Sequence, residues 1–492
     1  MRQINKQSRL IFKLTVLILI ALSLTCVLTA CNEENKKRTV TFIGVCDGHQ
    51  IYSQEITYKT SQQAHFEPTE VVGYAFEKFE GAPSATQIEL TRELDKHTVK
   101  VVYTPQFSNL PVVWVETLGS ATITSKEDYT SCGVSILNTD EKYQLDDVPA
   151  GIRGRGNTSW GFDKKPYRIK FDKKQGLFGL EKNKSWVLLA LYQDFSNIKD
   201  YAAFSLARGI DGRTAFVPNG VHVELYFNGK YNGLYLLTDQ VQENSGRVGV
   251  EADITEEDVE VPFLVELDEY APNEGKENLD WFRVYNKDSK VTSYYNIKYP
   301  ERDERMSDAQ FDYIKNYVTK VNALCHDKNV TRAEFEEYVD LNAFIDFYLV
   351  QEIMGQIEVN WKSVYMSKKV GGKLIMGPVW DFDWSAGGAM VDGGHASPEI
   401  GLYSDTNWFY FMLKVDWFKQ ACLSRLEELK PGFLATLDEL AVYKEHLSAA
   451  AERNEQLWHF DGKLPYFSEY YDTVLGYILK RIQLLPTYIN EV

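Results

Sequence analysis

Two aspartates stand one residue apart in an aromatic stretch, Gly377-Pro378-Val379-Trp380-Asp381-Phe382-Asp383-Trp384-Ser385-Ala386-Gly387-Gly388. In an extended segment alternate side chains share a face, so we expect Asp381 and Asp383 to point together and Phe382 to point away. Neighbouring carboxylates repel unless a proton or cation lies between them, and hard cations prefer oxygen ligands. The pair therefore predicts a Mg²⁺ or Mn²⁺ site at a strand end, from which Gly387-Gly388 lets the chain turn away.

The alternative interpretation of this pair is a surface turn that carries two solvated aspartates. That alternative leaves unexplained why the pair lies among large aromatic and apolar residues, because such residues normally occupy the protein interior. We therefore treat Asp381 and Asp383 as candidate functional residues.

The composition is that of a folded globular protein with an acidic surface. The chain has 492 residues, of which 44% are hydrophobic and 25% are charged, and this length suits two or three domains. The formal net charge of −17 argues against a nucleic-acid partner, since phosphate binding requires the opposite sign.

The N-terminus has the pattern of a bacterial lipoprotein signal peptide. Its basic residues are Arg2, Lys6, Arg9 and Lys13. An apolar run at residues 14–24 follows, and Leu28-Thr29-Ala30-Cys31 resembles a lipobox. We expect residues 1–30 to be removed and Cys31 to be lipidated, which would anchor the protein to the bacterial cell membrane on its extracytoplasmic side. The alternative is a short membrane anchor that is never cleaved.

Four cysteines remain when Cys26 and Cys31 are set aside, and they are widely spaced. They are Cys46, Cys132, Cys325 and Cys422. The sequence has no C-x-x-C spacing, the pattern that would indicate a zinc site. An exported location permits disulfides, but the sequence leaves the pairing open and fits buried free thiols equally well.

A short tether at residues 31–37 leads into a strand-rich unit at residues 38–106. Strands alternate in this unit around an Asp47-Gly48 turn, and a Gly73-Tyr74-Ala75-Phe76 stretch follows. This order resembles the small β-grasp repeats of Gram-positive surface proteins, which usually serve as spacers or adhesive modules. We therefore expect this β-grasp-like unit to act as a stalk.

Basic residues gather in a glycine-rich loop at residues 152–160 and in a strand pattern at residues 164–171. Glycines let backbone N–H groups approach an anion, and arginine binds phosphate oxygens bidentately. The candidate phosphate-binding residues are Arg153, Arg155, Asn157, Arg168 and Lys170. The alternative interpretation is a solvated basic strand face.

The rest of the chain divides into a strand-rich half and a helical half, which predicts an α+β fold. A hairpin is predicted at residues 221–237, with Asn228-Gly229 at its turn. A buried helix is predicted at residues 341–355, and further helices around residues 423–429, 433–454 and 469–485.

Taken together, the order of these motifs resembles the spore coat protein CotH kinase family over about residues 110–490. The matching motifs lie at residues 153–160, 164–171, 186–190, 231–237 and 371–384. The resemblance implies an atypical protein-kinase-like domain at residues 107–492, with an antiparallel sheet half and a helical half. It further implies ATP and Mg²⁺ or Mn²⁺ as cofactors, and transfer of the γ-phosphate to Ser or Thr of secreted or cell-surface proteins.

The resemblance also implies roles for individual residues. Asp381 falls on the family's metal-binding aspartate, and Asp383 and Ser363 are expected to act as further metal ligands. The family has its catalytic aspartate in an Asn-x-Asp segment, and this chain has Gln356-Ile357-Glu358 there, so Glu358 is the candidate base. In a further departure, Asp239 stands where relatives often have Glu.

Three functions remain open at this stage. The first is an active lipid-tethered kinase, and the second is a pseudokinase that serves as a surface scaffold or binding module. The third is a carbohydrate-active enzyme, which needs two carboxyls about 5–9.5 Å apart in a sugar-shaped cleft. The basic strand argues against the third.

Overall fold

The computed structural model of the chain describes residues 13–24, 33–287, 290–300, 306–387, 398–399, 401, 407–458 and 467–492. Contacts divide the chain into two compact units. The first runs to Phe107 and also takes in Phe227–Tyr231, and the second comprises Ser108–Tyr226 and Asn232–Val492. The domain limits inferred from the sequence stay predictions.

Residues 13–24, in the apolar N-terminal run, are helical. None of the helices in the described ranges is long and apolar enough to cross a membrane. The lipobox and Cys31 lie outside the described residues, so lipidation stays a prediction.

The first unit is built on a four-stranded sheet. Its strands are β1 (Arg38–Cys46), β2 (His49–Tyr58), β4 (Tyr74–Phe79) and β6 (Thr98–Pro105), and a separate pair is formed by β3 (His65–Phe66) and β5 (Ile88–Glu89). The sheet order is β2-β1-β6-β4, in which β1 and β6 run parallel. Every second residue of β1 is buried, so one face of the sheet forms the core of the unit.

The strand-rich half of the second unit is a closed barrel of seven strands. They are β7 (Val112–Thr117), β8 (Thr130–Leu137), β9 (Leu145–Gly154), β10 (Tyr167–Gln175), β11 (Asn183–Leu189), β12 (Gly220–Phe227) and β13 (Lys230–Asp239). The order around the barrel is β10-β11-β13-β12-β7-β8-β9. Asn228 and Gly229 form the predicted turn between β12 and β13, and both have positive φ.

The pairing of β9 with β10 sets the position of the basic residues. The strands are antiparallel, and Arg153 lies opposite Arg168. Directly opposed residues on neighbouring strands project from the same face of a sheet, so the two guanidinium groups are brought together. On β10 the alternation buries Tyr167 and Ile169 and leaves Lys170 exposed.

The second unit also contains a separate sheet of five strands. It consists of β14 (Phe263–Leu267), β15 (Trp281–Tyr285), β16 (Thr292–Tyr299), β17 (Val364–Lys368) and β18 (Ile375–Met376), in the order β15-β16-β14-β17-β18. The β17–β18 hairpin leads directly into the Asp381–Asp383 segment.

Helices form the remaining half of the second unit. They are α1 (Lys199–Arg208), α2 (Ala271–Glu274), α3 (Asp308–His326), α4 (Arg332–Tyr338), α5 (Leu341–Met354), α6 (Trp408–Met412), α7 (Asp416–Leu457) and α8 (Phe467–Glu491). Helix α5 is buried almost all round, as the predicted buried helix requires. The described part of the chain thus has the predicted mixed α+β fold.

The prediction of separate helices around residues 423–429 and 433–454 is wrong. One helix, α7, runs through Pro431 without a break. Proline inside a helix costs about 3 kcal/mol. Leu429 and Phe433 are buried on either side of it, and burying each such side chain contributes about 1.5–3 kcal/mol. Core packing therefore outweighs the local penalty.

The four cysteines whose pairing the sequence left open are free thiols. Cys46, Cys132, Cys325 and Cys422 are buried, and none of these four is in a disulfide. They contribute to the core as small apolar side chains.

Candidate functional site

The Asp381–Asp383 segment is not the extended strand end expected from its alternation. Asp381 has a left-handed backbone, with φ at 66°, and Asp383 lies in a turn. Phe382 is fully buried and points away, while both aspartates line one cavity. The two carboxylates therefore face the same cavity as predicted, but through a left-handed turn and not through strand alternation.

Long-range hydrogen bonds hold this segment in place. The Phe382 N–H donates to Asp200 Oδ1 at 2.9 Å, and Lys199 Nζ donates to the Asp383 carbonyl at 3.0 Å. Lys199 and Asp200 are the first two residues of α1. The Gln356 side-chain amide donates to the Asp381 carbonyl. These bonds fix the left-handed conformation at Asp381, which a non-glycine residue seldom adopts.

A short 3₁₀ helix, Ile357–Asn360, contributes Glu358 to the lining of the cavity. It follows the C-cap of α5, Gly355, after one intervening residue, and its Glu358 is only 1% exposed. Four residues later Lys362 pairs with Glu358, with Nζ 2.5 Å from Oε1. Ser363 then donates its hydroxyl to Asp381 Oδ2 at 2.9 Å.

We call this cavity the carboxylate cavity, and its volume is about 170 Å³. The charged residues that line it are Arg155, Glu266, Asp268, Lys298, Glu358, Lys362, Asp381 and Asp383. Five of these residues are acidic and three are basic, so the cavity carries a formal excess of negative charge.

The crowding of carboxylates changes their protonation. Burial and the charge of Asp381 raise the pKa of Glu358 to about 7. Burial raises the pKa of Asp200 to about 7 as well, and Asp381 again adds to the shift. Loss of solvation, followed by the charges of Asp381, Asp200 and Glu358, raises the pKa of Asp383 well above its usual range. The cluster therefore favours a bound proton or cation.

Two cations offset part of this charge. Burial would lower the pKa of Lys362, but the charge and hydrogen bond of Glu358 outweigh burial and raise it. Lys362 also lies against the Trp384 and Tyr270 rings, 5.1 Å and 5.9 Å from their centroids. The Arg155 guanidinium lies 5.6 Å from the Trp380 ring centroid, so both cations are held by aromatic rings at the cavity wall.

A second, larger cavity adjoins the first, and we call it the basic cavity. Its volume is about 660 Å³. The residues that line it are Lys126, Glu127, Arg153, Arg155, Gly156, Asn157, Arg168, Gln240, Tyr270 and Asn273. Arg155, Gly156, Asn157 and Tyr270 line both cavities, so the glycine-rich loop forms the boundary between them.

The arginines of the basic cavity are incompletely paired. The Nε atoms of Arg153 and Arg168 are buried and have no hydrogen-bond partner. Burial lowers the pKa of Arg168, and the charges of Arg153 and Arg155 lower it further. Arg153, Arg155 and Arg168 all line this cavity, and clustered guanidinium groups are suited to an anionic ligand.

The glycine-rich loop owes its course to two glycines and one lysine. Gly156 has φ at 80°, and a Cβ there would come within 2.1 Å of Ser159 Oγ. A Cβ at Gly154 would come within 2.4 Å of the Trp160 ring. Lys126 Nζ donates to the Gly156 carbonyl at 3.0 Å and to Asn157 Oδ1 at 2.9 Å, which ties the loop to the segment that precedes β8.

The structure groups most of the sequence-predicted site residues. Glu358, Ser363, Asp381 and Asp383 line the carboxylate cavity, Arg153 and Arg168 line the basic cavity, and Arg155 and Asn157 line both. Lys170 lines neither of them. Its Nζ lies 5.8 Å from the Tyr129 ring centroid.

Among the described residues, no group of three or more His, Cys, Asp and Glu side chains is close enough to hold a metal ion alone. Asp381, Asp383 and Ser363 nevertheless line one cavity, so a cation bound there would have two carboxylates and a hydroxyl group in the cavity lining. Mg²⁺ usually binds through one or two carboxylates together with substrate phosphates and water.

Sequence reasoning did not identify several residues that belong to the site. Asp200 and Lys199 lie more than 180 residues before the segment that they hold, and no local pattern marks them. Lys362 could have been found, because residues four apart on one helical turn are neighbours and Glu358 precedes it at that spacing. Asp239, noted as a departure, forms a buried ion pair with Arg247.

A family model described as CotH kinase protein matches residues 152–485 of the chain. The matched range covers most of the chain and contains Glu358, Asp381 and every predicted phosphate-binding residue. No curated protein matches the chain significantly.

Proposed function

Because the chain belongs to the CotH kinase protein family, we propose that it is an atypical protein kinase. It would transfer the terminal phosphoryl group of ATP to Ser or Thr hydroxyls of secreted or cell-surface proteins. One observation carries the proposal: Glu358, Asp381, Asp383 and Arg155 line a single cavity that adjoins a larger basic cavity. Phosphoryl transfer relies on this combination of acidic metal ligands, a hydroxyl-orienting carboxylate and phosphate-binding cations.

The mixed α+β fold is consistent with a kinase-like domain that has a sheet half and a helical half. We assign the barrel and the five-stranded sheet to the sheet half of a kinase-like domain at residues 107–492, and the helices to its other half. We assign residues 38–106 to a β-grasp-like stalk, supported by its strand-rich sheet of mixed direction.

Metal binding is assigned to Asp381, Asp383 and Ser363. This assignment is supported by the raised pKa of Asp383, which reflects crowded carboxylates, and by the Ser363–Asp381 hydrogen bond, which holds a hydroxyl oxygen beside them. A bound Mg²⁺ or Mn²⁺ would neutralise phosphate charge at this point.

Glu358 is assigned the role of base for the acceptor hydroxyl. Its pKa of about 7 is close to neutral, where a general base works best. Lys362 holds the Glu358 carboxylate in one position and keeps part of it ionised. We assign Arg155, which lines both cavities, to the transferring phosphoryl group, and Arg153 and Arg168 to the remaining phosphates of the donor.

Transfer of radiolabel from ATP to the protein itself or to a generic acceptor protein, with Mg²⁺ or Mn²⁺, tests this proposal. Glu358→Gln should lower transfer by about 10²–10⁴-fold, the usual contribution of a general base, while donor affinity stays within a few-fold. Glu277→Gln is a matched control, since Glu277 pairs with Arg283 on the surface. Equal transfer by Glu358→Gln and wild type would contradict the assigned base.

A pseudokinase that acts as a surface scaffold or binding module is the second candidate. It is favoured by the Glu358–Lys362 ion pair, because a paired carboxylate is a weaker proton acceptor. Glu358 is also one methylene longer than Asp, and small misplacements can cost on the order of 100-fold. Donor binding without transfer, in both wild type and Glu358→Asp, would select this candidate.

We also propose that Cys31 carries the lipid that holds the protein outside the cell membrane. Wild type should partition into detergent, and Cys31→Ala should remain uncleaved or be released. Equal detergent partitioning of both forms, with the signal peptide removed from each, would contradict the lipid tether.

A further inference from the structure

The lining of the basic cavity differs from that of an ordinary nucleotide pocket. Small-molecule sites are mostly apolar, with a few polar groups that set orientation. The described residues that line the basic cavity include four cations, several amides and one ring, that of Tyr270, but no aliphatic side chain. A nucleobase would find only one aromatic ring there on which to stack.

The charge of this lining is also one-sided. Lys126, Arg153, Arg155 and Arg168 are opposed by one acidic lining residue, Glu127, which is exposed. Arg153 and Arg168 face each other across the β9–β10 pair, and both line the cavity. This arrangement matches a chain of phosphates, which offers several acceptor oxygens and several negative charges in a row.

We infer that this site recognises the donor by its phosphate chain and not by its base. The basic cavity would therefore bind nucleoside triphosphates irrespective of base, and also inorganic tripolyphosphate. The inference rests on the proposed function, because it takes Arg155 as the point where the terminal phosphoryl group enters the carboxylate cavity.

The relative sizes of the cavities support this assignment. The carboxylate cavity, at about 170 Å³, has room for a terminal phosphoryl group and an ion, whereas the basic cavity, at about 660 Å³, has room for the rest of the chain. The polar groups available to a base include the amides of Gln240 and Asn273. An amide both donates and accepts hydrogen bonds, so neither side chain discriminates strongly between adenine and guanine edges.

Thermal denaturation of the full chain at matched free Mg²⁺ tests the inference, with ATP, GTP, inorganic tripolyphosphate and adenosine as ligands. The apparent dissociation constants of the three triphosphates should agree within about threefold, and adenosine should give no shift at ten times their concentration. Sulfate at equal ionic strength should also give none, because a single tetrahedral anion cannot span the arginines.

Substitutions locate the binding to the basic cavity. Arg153→Gln and Lys126→Met should each weaken all three triphosphates at least tenfold and to the same extent. Arg283→Gln removes an equal charge from a surface ion pair with Glu277 and should change none of them. Arg168→Lys, which keeps the charge but loses the bidentate geometry, replaces Arg153→Gln if that variant does not fold.

The outcomes separate the inference from the proposed function. Stabilisation by ATP but not by tripolyphosphate, or a preference for ATP over GTP of tenfold or more, would overturn the inference and leave the kinase proposal standing. Binding that Arg153→Gln and Lys126→Met leave unchanged would place the phosphates elsewhere and also overturn it. No stabilisation by any triphosphate would count against both.

Discussion

Glu358 is the residue whose chemistry is most closely set by its neighbours. Burial and the nearby Asp381 raise its pKa to about 7, while Lys362 lowers it. As a base, Glu358 works only in its ionised form, so activity should be lost as the pH falls through about 7 and should be full above it.

The rate of phosphoryl transfer as a function of pH should therefore have an acid limb near pH 7. Lys362→Met removes the cation that lowers the pKa of Glu358, so this limb should move to higher pH. Lys298→Met is the matched control, because Lys298 lines the same cavity but pairs with Glu266. An acid limb that stays in place in Lys362→Met would contradict the assigned coupling.

Sequence reasoning singled out Glu358, Asp381 and Asp383, which are three of the five acidic residues that line the carboxylate cavity. It missed Glu266 and Asp268, and it did not predict the backbone conformation at Asp381. Asp381 and Asp383 stood out because carboxylates among aromatic residues require an explanation. The left-handed backbone of Asp381 depends on hydrogen bonds from Gln356 and to Asp200, which are remote in sequence. Lys170 shares a strand face with Arg168, but two residues along a strand span about 6.6 Å, enough to leave the cavity.

The glycine-rich loop between β9 and β10 is the element on which both cavities depend. Its backbone separates them, and Gly156 adopts a conformation with positive φ that side chains rarely tolerate. Lys126 holds the loop by donating hydrogen bonds to the Gly156 carbonyl and to the Asn157 side chain.

Gly156→Ala should distort the loop, since the new Cβ would clash with Ser159 and the backbone would be strained. We expect donor affinity to fall at least tenfold, with a stability loss of about 1–3 kcal/mol. Gly161→Ala in the same loop is the control, because a Cβ there meets nothing within 4 Å. Calorimetric titration and denaturant unfolding measure the two effects, and equal donor affinities in both variants would contradict the role of Gly156.

At the scale of elements, local patterns predicted the strands and hairpin turns but not the length of α7. The Asn228-Gly229 turn is specified by two residues, so it is visible in the sequence. The continuity of α7 across Pro431 depends on packing by Leu429 and Phe433 against distant helices, which no local rule contains.

In the molecule as a whole, the described site residues belong to the second unit. Deleting residues 38–105 should therefore leave donor affinity within about twofold of wild type, as measured by thermal shift. A cooperative melt of the shortened chain is the necessary control. Loss of donor binding in a variant that still melts cooperatively would show that the first unit contributes to the site.

The central claim is that Asp381 binds a divalent cation together with the donor phosphates. Asp381→Asn removes one charge with almost no change in size, so the fold should survive. The deciding quantity is the thermal shift with ATP and Mn²⁺ minus the shift with ATP alone. A ligand at 100 times its dissociation constant stabilises by about 2.7 kcal/mol, so this difference should be large in wild type.

Asp381→Asn should abolish that difference and Asp383→Asn should reduce it, while Asp312→Asn, an exposed aspartate on α3, should leave it unchanged. A metal-dependent shift that persists in folded Asp381→Asn, or that is absent from wild type, would contradict the account.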